Sequence, residues 1–400
     1  MAKSTYSYKQ ISTGGFQAAN LVLTLTIGIV ILAAGAAPAA PAQTFTHTVL
    51  HSFGANGDGS NPFGNLIQDP AGNLYGATEG GAFELGTMFV VSGIVKEKVL
   101  FNFDEATGGA GGSLVKDAAG NFYGTSGGGA FDQGAVFVVN RAGEEKVLYS
   151  FTGANGDGAL PNAGLIQDAA GNLYGTTQAG GAFDQGTLFV VSKSGHEKVL
   201  HSFTRDNGDG ANPQGTLVQD AANNLYGTTW AGGTFDLGTV FVANRAGEEK
   251  VLYSFTGPDG DGANPNGGLV RDAAGNLYGT TGAGGAVRLG TVFVVSPSGE
   301  EKVLHSFGGS GDGEHPNGGL VRDAVGNLYG TTSSSNSETL GTVFEVNNAG
   351  EEMVLYGFLG GVDGANPRGG VIRDATGNLY GTTFFGGAFT QGTVFELIPQ

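Results

Sequence analysis

The stretch Asp168-Ala-Ala-Gly-Asn-Leu-Tyr-Gly-Thr-Thr177 recurs seven times along the 400-residue chain. Successive copies are 48 to 52 residues apart. A nearly constant period in this range is typical of a repeat architecture, and it takes precedence over the two or three domains that chain length alone would suggest. The sequence therefore predicts seven copies of one small structural unit. The Asn of the repeated core is Asn73, Asn121, Asn172, Asn224, Asn276, Asn327 and Asn378.

Each copy predicts four short strands. In the third copy, runs of apolar, β-branched and aromatic residues cover Gly164–Asp168, Asn172–Thr177, Gly186–Val191 and Glu197–Phe203, with turn-forming residues between them. Beyond residue 42, no window has the period of an amphipathic helix. Four strands in a unit of roughly 40–50 residues is the pattern of a propeller blade. We therefore expect an all-β fold, a seven-bladed β-propeller with four antiparallel strands per blade.

The two ends of the repeat region are complementary. Residues Thr46–Phe53 match a fourth strand that lacks the first three, and Gly392–Ile398 match a third strand that lacks a fourth. Pairing of the N-terminal strand with the last blade would close the ring and remove its exposed edges. Residues 43–400 are therefore expected to form a single propeller domain.

The turn between the first two strands has a fixed backbone requirement. Six copies have Gly before the repeated Asn and one has Asn223, and these two residue types best accept a left-handed backbone. The position is thus predicted to have positive φ. The Asp that opens each turn is expected to accept hydrogen bonds from turn amides rather than to act in catalysis. These acids are Asp69, Asp117, Asp168, Asp220, Asp272, Asp323 and Asp374.

Two repeated positions are expected to shape the interior. The Gly of Asn-Leu-Tyr-Gly is predicted to lie where neighbouring blades converge toward the hub. The Phe of the third strand is predicted to belong to the core. The Phe residues are Phe89, Phe137, Phe189, Phe241, Phe293, Phe344 and Phe395.

Composition limits the classes of function. The formal net charge is −18, so nucleic acid and anionic membrane surfaces are poor partners. The chain has no cysteine, which excludes disulfides, thiolate metal sites and cysteine nucleophiles. Gly accounts for 76 residues and 40% of residues are hydrophobic, which favours a turn-rich folded domain over disorder.

Residues 1–42 have the pattern of a secretory signal peptide. Lys3 and Lys9 precede an uncharged apolar run over residues 21–39, and Ala40-Pro41-Ala42 provides a small-x-small cleavage site. An uncleaved N-terminal anchor is the alternative, since about 20 apolar residues can span a bilayer. Either reading predicts export, with a secreted, periplasmic or cell-surface location. No other membrane span is expected.

The loops divide between the two faces of the expected ring. The first-to-second and third-to-fourth connections are tight and share one face, here called the tight-turn face. The second-to-third and blade-to-blade loops are long and share the other, the long-loop face, which is the candidate binding surface. On it, the residue after Gly-Thr-Thr varies while its flanks repeat, so the fold does not dictate its identity. The candidate ligand-binding residues are Glu79, Gln178, Trp230, Phe384 and Phe385.

The aromatic members of this set suit stacking on sugars or anchoring of a protein partner, and the alternative is that they fill gaps over the rim. The blade-to-blade loops also carry Gly-Asp-Gly. Asp206 with Asp209 and Asp259 with Asp261 come nearest to a Ca²⁺ site. Because Ca²⁺ takes six to eight oxygens and most copies supply one Asp, a turn role is favoured and no cofactor is expected otherwise.

No catalytic arrangement is evident. The six His show no pair with metal-ligand spacing, and no Gly-x-Ser-x-Gly elbow occurs. His51, His201 and His305 stand where other copies have Tyr or Phe, and are expected to be packing substitutions. Acids brought together by the loops could still supply a carboxylate pair for glycoside chemistry.

The chain resembles the GloVer tandem repeat of bacterial exported proteins. The resemblance rests on Asp-x-x-Gly-Asn-Leu-Tyr-Gly-Thr-Thr-x-x-Gly-Gly, then Gly-Thr-Val-Phe, Leu-x-Ser-Phe and Gly-Asp-Gly-x-x-Pro, and it covers nearly all of residues 46–398. It implies an exported, surface-associated protein without an assigned activity, and it carries no catalytic residue over. The second copy lacks Gly-Asp-Gly, and the sixth has a Ser-rich loop at residues 333–338.

The sequence thus favours an exported, monomeric, non-catalytic binding or scaffolding module whose long-loop face takes a glycan or protein ligand at the cell envelope. Two alternatives remain open. One is a propeller hydrolase or lyase with acids at the channel mouth, and the other is a Ca²⁺-stabilised surface adhesin.

Overall fold

The computed structural model describes residues 44–55, 57–81, 84–93, 97–257, 260–309, 311–335 and 339–400. In these residues the chain forms seven small antiparallel sheets arranged in a ring, which confirms the predicted seven-bladed β-propeller. The predicted signal segment, residues 1–42, lies outside the described residues. Across the described ranges, no helix has the length and apolar composition to cross a bilayer.

The strands are numbered in chain order. β1 is Phe45–Ser52. Blade 1 has β2 (Ser60–Gln68), β3 (Leu74–Gly80), β4 (Thr87–Val91) and β5 (Glu97–Asn102). Blade 2 has β6 (Val115–Lys116), β7 (Phe122–Ser126), β8 (Ala135–Val139) and β9 (Glu145–Ser150). Blade 3 has β10 (Gly158–Ala159), β11 (Ile166–Gln167), β12 (Leu173–Thr177), β13 (Ala179–Gly180), β14 (Thr187–Val191) and β15 (Glu197–Ser202).

Blade 4 has β16 (Gly210–Pro213), β17 (Val218–Gln219), β18 (Leu225–Gly232), β19 (Thr239–Ala243) and β20 (Glu249–Ser254). Blade 5 has β21 (Gly262–Ala263), β22 (Val270–Arg271), β23 (Leu277–Thr281), β24 (Ala283–Gly284), β25 (Thr291–Val295) and β26 (Glu301–Ser306). Blade 6 has β27 (Gly313–Pro316), β28 (Val321–Arg322), β29 (Leu328–Ser335), β30 (Thr342–Val346) and β31 (Glu352–Gly357). Blade 7 has a short 3-10 helix (Gly361–Asp363), β32 (Ile372–Arg373), β33 (Leu379–Thr383) and β34 (Thr393–Pro399), and it is completed by β1.

The ring closes as predicted. β1 pairs antiparallel with β34 over a register that runs from Phe45 opposite Pro399 to Ser52 opposite Thr393. The amide of Gln400 also donates to the carbonyl of Thr44 at 2.8 Å. The first strand and the last therefore form one blade together.

The first turn of each blade has the predicted geometry. The position before the repeated Asn has positive φ in every copy, for example 83° at Gly171 and 66° at Asn223. The Asp168 carboxylate accepts hydrogen bonds from the amides of Ala170 and Asn172 at 2.9 and 2.8 Å. Equivalent bonds form at the other six acids, so the structural role predicted for this Asp is confirmed.

The predicted core Phe is fully buried in all seven blades. The Phe that directly follows each fourth strand packs edge-to-face against the core Phe of the next blade, as Phe203 packs against Phe241 at a centroid distance of 5.2 Å. The hydrophobic clusters are therefore shared between blades: one contains Phe203 and Leu188 of blade 3 with Leu225 and Phe241 of blade 4. The apolar faces of each sheet are therefore buried only when the neighbouring blades pack against them.

The prediction for the Gly of Asn-Leu-Tyr-Gly is wrong. At Gly227 a Cβ would come within 2.7 Å of the Phe241 ring and 2.9 Å of Leu217, both in the same blade. Gly227 lies opposite Phe241 in the sheet, so it makes room for its cross-strand partner. Close approach between blades falls instead on the Gly that precedes the first strand: at Gly267 a Cβ would lie 2.6 Å from the Gly318 carbonyl oxygen.

We expect Phe241→Ala to lower the free energy of unfolding by about 3–5 kcal/mol, because the substitution leaves a cavity at a junction of two blades. Denaturant unfolding followed by far-UV circular dichroism measures the change. Phe235→Ala is the matched control, since Phe235 is 56% exposed and its loss should change stability little. Equal losses in the two variants would contradict the shared-core description.

Candidate functional site

The first strands of all seven blades converge on the channel mouth of the long-loop face, a cavity of about 150 Å³. Six of the blade-to-blade loops contain a Pro, and the residue that follows it lines the cavity. In five blades this residue has an amide or guanidinium group. These five, here called the mouth ring, are Asn162, Gln214, Asn266, Asn317 and Arg368.

The variable position predicted from the sequence lies beside this ring. Asn162 donates to the Oε1 of Gln178 at 2.8 Å, and Arg368 lies 3.8 Å from the Glu79 carboxylate. Burial raises the pKa of Glu79, and Arg368 opposes that shift. The structure thus brings Gln178 of blade 3 and Glu79 of blade 1 to the mouth ring.

One buried acceptor in the mouth ring has no partner within the described part of the chain. The Asn266 side chain donates to Asn317 at 3.3 Å, while its Oδ1 accepts no hydrogen bond. A buried unsatisfied acceptor is costly unless water or a ligand donates to it. The position therefore suits a hydroxyl donor.

The three aromatic candidates differ in exposure. Trp230 is 41% exposed and Phe385 is 46% exposed. Phe384 is only 6% exposed, because the Arg368 guanidinium covers its ring at 3.5 Å and Phe385 packs edge-on against it. Trp230 and Phe385 can contact a ligand directly, whereas Phe384 supports Arg368 and Phe385 from below.

Sequence reasoning missed a second apolar set on the same face. Among the described residues, the position three residues before the Gly that precedes the third strand holds, in five blades, an apolar side chain that is between 50% and 57% exposed. This set, here called the apolar rim, consists of Phe131, Phe183, Phe235, Val287 and Phe389. The available signal was a Phe in a Gly-rich loop outside any strand pattern, followed by Asp in three of these blades. Because a Phe recurs at this position, it does not stand out as one that varies between copies.

The Gly-Asp-Gly acids turn inward to the junctions between blades. Asp261 accepts hydrogen bonds from the Tyr253 hydroxyl at 2.9 Å and from the Thr256 amide. Asp209 accepts from the Thr204 amide at 2.8 Å and the Gly210 amide at 2.7 Å. The predicted partner Asp206 is exposed and belongs to none of the potential ligand groups in the described ranges, and Asp259 lies outside the described residues. The calcium prediction remains untested.

Three junctions bring a His and two acids together. His51 with Asp58 and Glu97, for example, has potential ligand atoms within 4.8 Å of one another, a set that could hold a metal ion. The other sets are His201 with Asp209 and Glu249, and His305 with Asp312 and Glu352. Other blades place a Tyr hydroxyl where the His Nε2 lies, so the His also serves as a hydrogen-bond partner of the Asp. It is more than the packing substitution that the sequence indicated.

A half-buried Glu at the start of the fourth strand lies near the Asp at most of the blade junctions. Burial, reinforced by the neighbouring Asp, raises the pKa of Glu97, Glu197 and Glu301 to about 7. One oxygen of each carboxyl is buried without a hydrogen-bond partner among the described residues. The sequence could not show this burial, because each of these Glu residues is the first residue of a fourth strand, where a Glu is normally expected to be exposed.

The fold and its two faces define the class: a tandem-repeat β-propeller with seven blades. The sequence model of the protein family described as the Gloeobacter/Verrucomicrobia repeat matches residues 38–189, 92–271 and 247–400. The chain therefore belongs to that family. The resemblance to the GloVer repeat is thereby confirmed.

No curated protein matches the sequence. The fold is similar to the crystal structure of a "putative gluconolactonase", with a TM-score of 0.43 and 14% identity over 72% of this chain and 89% of that one. We draw no functional conclusion from this similarity.

We expect the buried Glu residues to make stability depend on pH. Because the pKa of Glu301 rises from 4.5 in the unfolded chain to about 7 in the folded protein, its contribution is complete below about pH 4.5 and is lost as the pH rises to about 7. As the pH rises from 4.5 to 7, the free energy of unfolding should therefore decrease less in Glu301→Gln than in the parent protein. Urea unfolding across this range measures the difference.

The adjacent exposed Glu300 provides the control, since Glu300→Gln should keep the pH dependence of the parent protein. If both variants follow the parent curve, Glu301 does not carry the raised pKa.

Proposed function

We propose that the protein is an exported, non-catalytic module that binds a neutral polysaccharide on its long-loop face. The observation that carries this proposal is the combination of a neutral, amide-rich mouth ring with exposed aromatic side chains around it. Carbohydrate recognition needs both features, because a sugar has apolar C–H faces and a rim of hydroxyl groups.

The mouth ring supplies the polar half. Asn and Gln side chains each carry donors and an acceptor, so they can pair with hydroxyl groups in either direction. The unsatisfied Oδ1 of Asn266 is an acceptor that a sugar hydroxyl would satisfy. Such convergent polar groups fix the orientation of a ligand.

The exposed aromatic residues supply the stacking half. Trp230 occupies the repeat position that Glu79 and Gln178 have in their blades, and Phe385 packs against Phe384 beneath Arg368. The apolar rim adds one platform in each of five blades. Large rigid rings offer contact area at a small cost in conformational entropy. Platforms repeated around a ring favour a polymer, because linked contacts raise the effective concentration of each further contact.

The charge distribution favours a neutral ligand. The protein has a net charge of −18, which repels anionic polymers. The one cation of the mouth ring, Arg368, faces the Glu79 carboxylate. A strongly anionic glycan would therefore meet little net attraction on this face.

The alternative of a hydrolase or lyase is less well supported by the same geometry. No Asp or Glu is among the described residues that line the mouth cavity. Glu79 lies beside the cavity and is the single acid of the candidate set, whereas glycoside hydrolysis usually requires two carboxyl groups about 5–10 Å apart. The Gly-Asp-Gly acids are engaged at the blade junctions.

We expect Trp230→Ala together with Phe385→Ala to weaken binding of a neutral polysaccharide by about tenfold or more, since truncation of a binding hot spot costs more than about 1 kcal/mol. A glycan array identifies the polymer, and affinity electrophoresis measures the loss. Val325→Ala, which removes an exposed apolar side chain at a tight turn, is the control. Unchanged binding in the double variant would refute the aromatic contribution.

The adhesin alternative has its own test. If Ca²⁺ stabilises the blade-to-blade loops, EDTA should lower the melting temperature and added Ca²⁺ should restore it, because a ligand that binds the folded state stabilises it. We expect no change, since hydrogen bonds already occupy the Asp209 and Asp261 carboxylates. A reversible EDTA effect of several degrees would favour the adhesin.

A further inference from the structure

The junction between blades 1 and 2 departs from the repeat on the tight-turn face. Phe122 stands where the other six copies have Leu, and Pro70 stands where the others have Ala. Met88 replaces the Leu or Val of most other third strands. The Tyr75 and Phe122 rings approach to 4.8 Å across this junction. Since the other copies fold without these residues, the fold itself does not require them.

These substitutions surround a cavity of about 630 Å³, here called the blade 1–2 cleft. Corresponding clefts between blades 7 and 1 and between blades 4 and 5 have volumes of about 380 and 410 Å³. All three volumes are within the range typical of small-molecule sites, and the blade 1–2 cleft is the largest of the three. The apolar lining of the blade 1–2 cleft comes from Ile67, Pro70, Met88, Leu100 and Phe122.

Three cations line the same cleft: Lys98, Lys116 and Arg141. The Lys116 Nζ lies 4.2 Å from the centre of the Tyr75 ring and 5.2 Å from that of Phe122, so the two rings hold the ammonium group in place. It is also 3.7 Å from the Asp69 carboxylate.

Arg141 differs from its counterpart in blade 4. Arg245 occupies the same turn position and pairs with Asp168 at 3.0 Å and with Asn223 at 2.9 Å. Arg141 forms no ion pair or side-chain hydrogen bond with a described residue, and Lys98 forms no ion pair with one. Their charges are thus available at the cleft.

The two acids in the lining are already engaged by their own turns. Asp69 accepts hydrogen bonds from the Asn73 amide and side chain and from the Tyr75 hydroxyl, which hold its pKa at about 2 against the opposing effect of desolvation. Asp117 accepts the equivalent bonds within its turn. The cleft therefore carries three cations against two acids in a chain with a net charge of −18.

The other two clefts lack this surplus. The cleft between blades 4 and 5 has two cations, Lys250 and Arg271, against two acids, Glu248 and Glu249. The cleft between blades 7 and 1 has Glu396 and no cation among its described lining residues. A positive surplus together with an enlarged apolar lining thus distinguishes the blade 1–2 cleft from both.

We propose that the blade 1–2 cleft is a second binding site, separate from the long-loop face, for a small organic carboxylate with a planar or apolar body. The carboxylate would pair with Lys116 and Arg141, since a guanidinium matches the geometry of a carboxylate. The apolar body would contact Met88, Leu100 and Phe122. A bare inorganic anion would leave that lining unused.

Ligand-observed NMR and calorimetry on the full propeller with phenylacetate test the proposal. Phenylacetamide removes the charge, whereas acetate and inorganic phosphate remove the apolar body. We expect phenylacetate to bind about tenfold or more tightly than each of the other three, and increasing salt to weaken it. Equal binding of phenylacetamide would overturn the role of the cations, and equal binding of inorganic phosphate would overturn the role of the apolar lining.

Variants then locate the site. Lys116→Gln introduces the residue that blades 1, 3 and 4 have at this position, so the fold should tolerate it, and Phe122→Leu restores the repeat. Lys116→Gln combined with Arg141→Gln should reduce phenylacetate affinity by about tenfold, and Phe122→Leu should reduce it as well. Arg271→Gln at the junction of blades 4 and 5 is the control and should retain full affinity.

Loss of affinity in Arg271→Gln, or its retention in the double variant, would contradict the assignment. A thermal melt of each variant confirms that it folds. Polysaccharide binding on the opposite face should be unaffected by these changes, so the two proposals succeed or fail independently.

Discussion

Every hydrophobic cluster of the ring is shared by two neighbouring blades, and the rest of the structure depends on this sharing. A single four-stranded blade has two faces to cover and no core of its own. Phe203 of blade 3 packs on Phe241 of blade 4, and the same edge-to-face contact recurs around the ring. These contacts continue from blade to blade around the ring, and the pairing of β1 with β34 joins the last blade to the first strand of the chain. Closure is therefore a condition for burying the last blade and not an addition to a finished fold.

The two sets of repeated acids accept different hydrogen bonds and stabilise different parts of the fold. The Asp of the tight turn holds the hairpin, and the Asp of Gly-Asp-Gly holds the junction between blades through Tyr or His. Both sets are engaged in the folded protein, which leaves the surfaces to residues that are neutral, aromatic or specific to one blade. On the long-loop face these are the mouth ring and the apolar rim. On the tight-turn face they are the cations and enlarged lining of the blade 1–2 cleft.

Variation between the copies selects positions but does not show which of them are exposed. It located Trp230 and Phe385, which are accessible, and also Phe384, which lies beneath Arg368. It did not select the apolar rim, because a Phe recurs at four of the five rim positions. It also treated three His as ring substitutions, although each contacts an Asp through Nε2. A local sequence pattern does not show which of two neighbouring side chains covers the other.

The sequence alone determined the number of blades, the four strands of each, the closure of the ring and the positive φ at Gly171 and Asn223. These features follow from period, local propensity and turn chemistry, which act over a few residues. Only the tertiary structure decided which side chains meet: Arg368 over Phe384, the half-buried Glu301 beside Asp261, and Lys116 over Tyr75 and Phe122. The partners in these contacts are between 6 and 41 residues apart in the chain. Their geometry depends on how strands and blades pack, which no local pattern encodes.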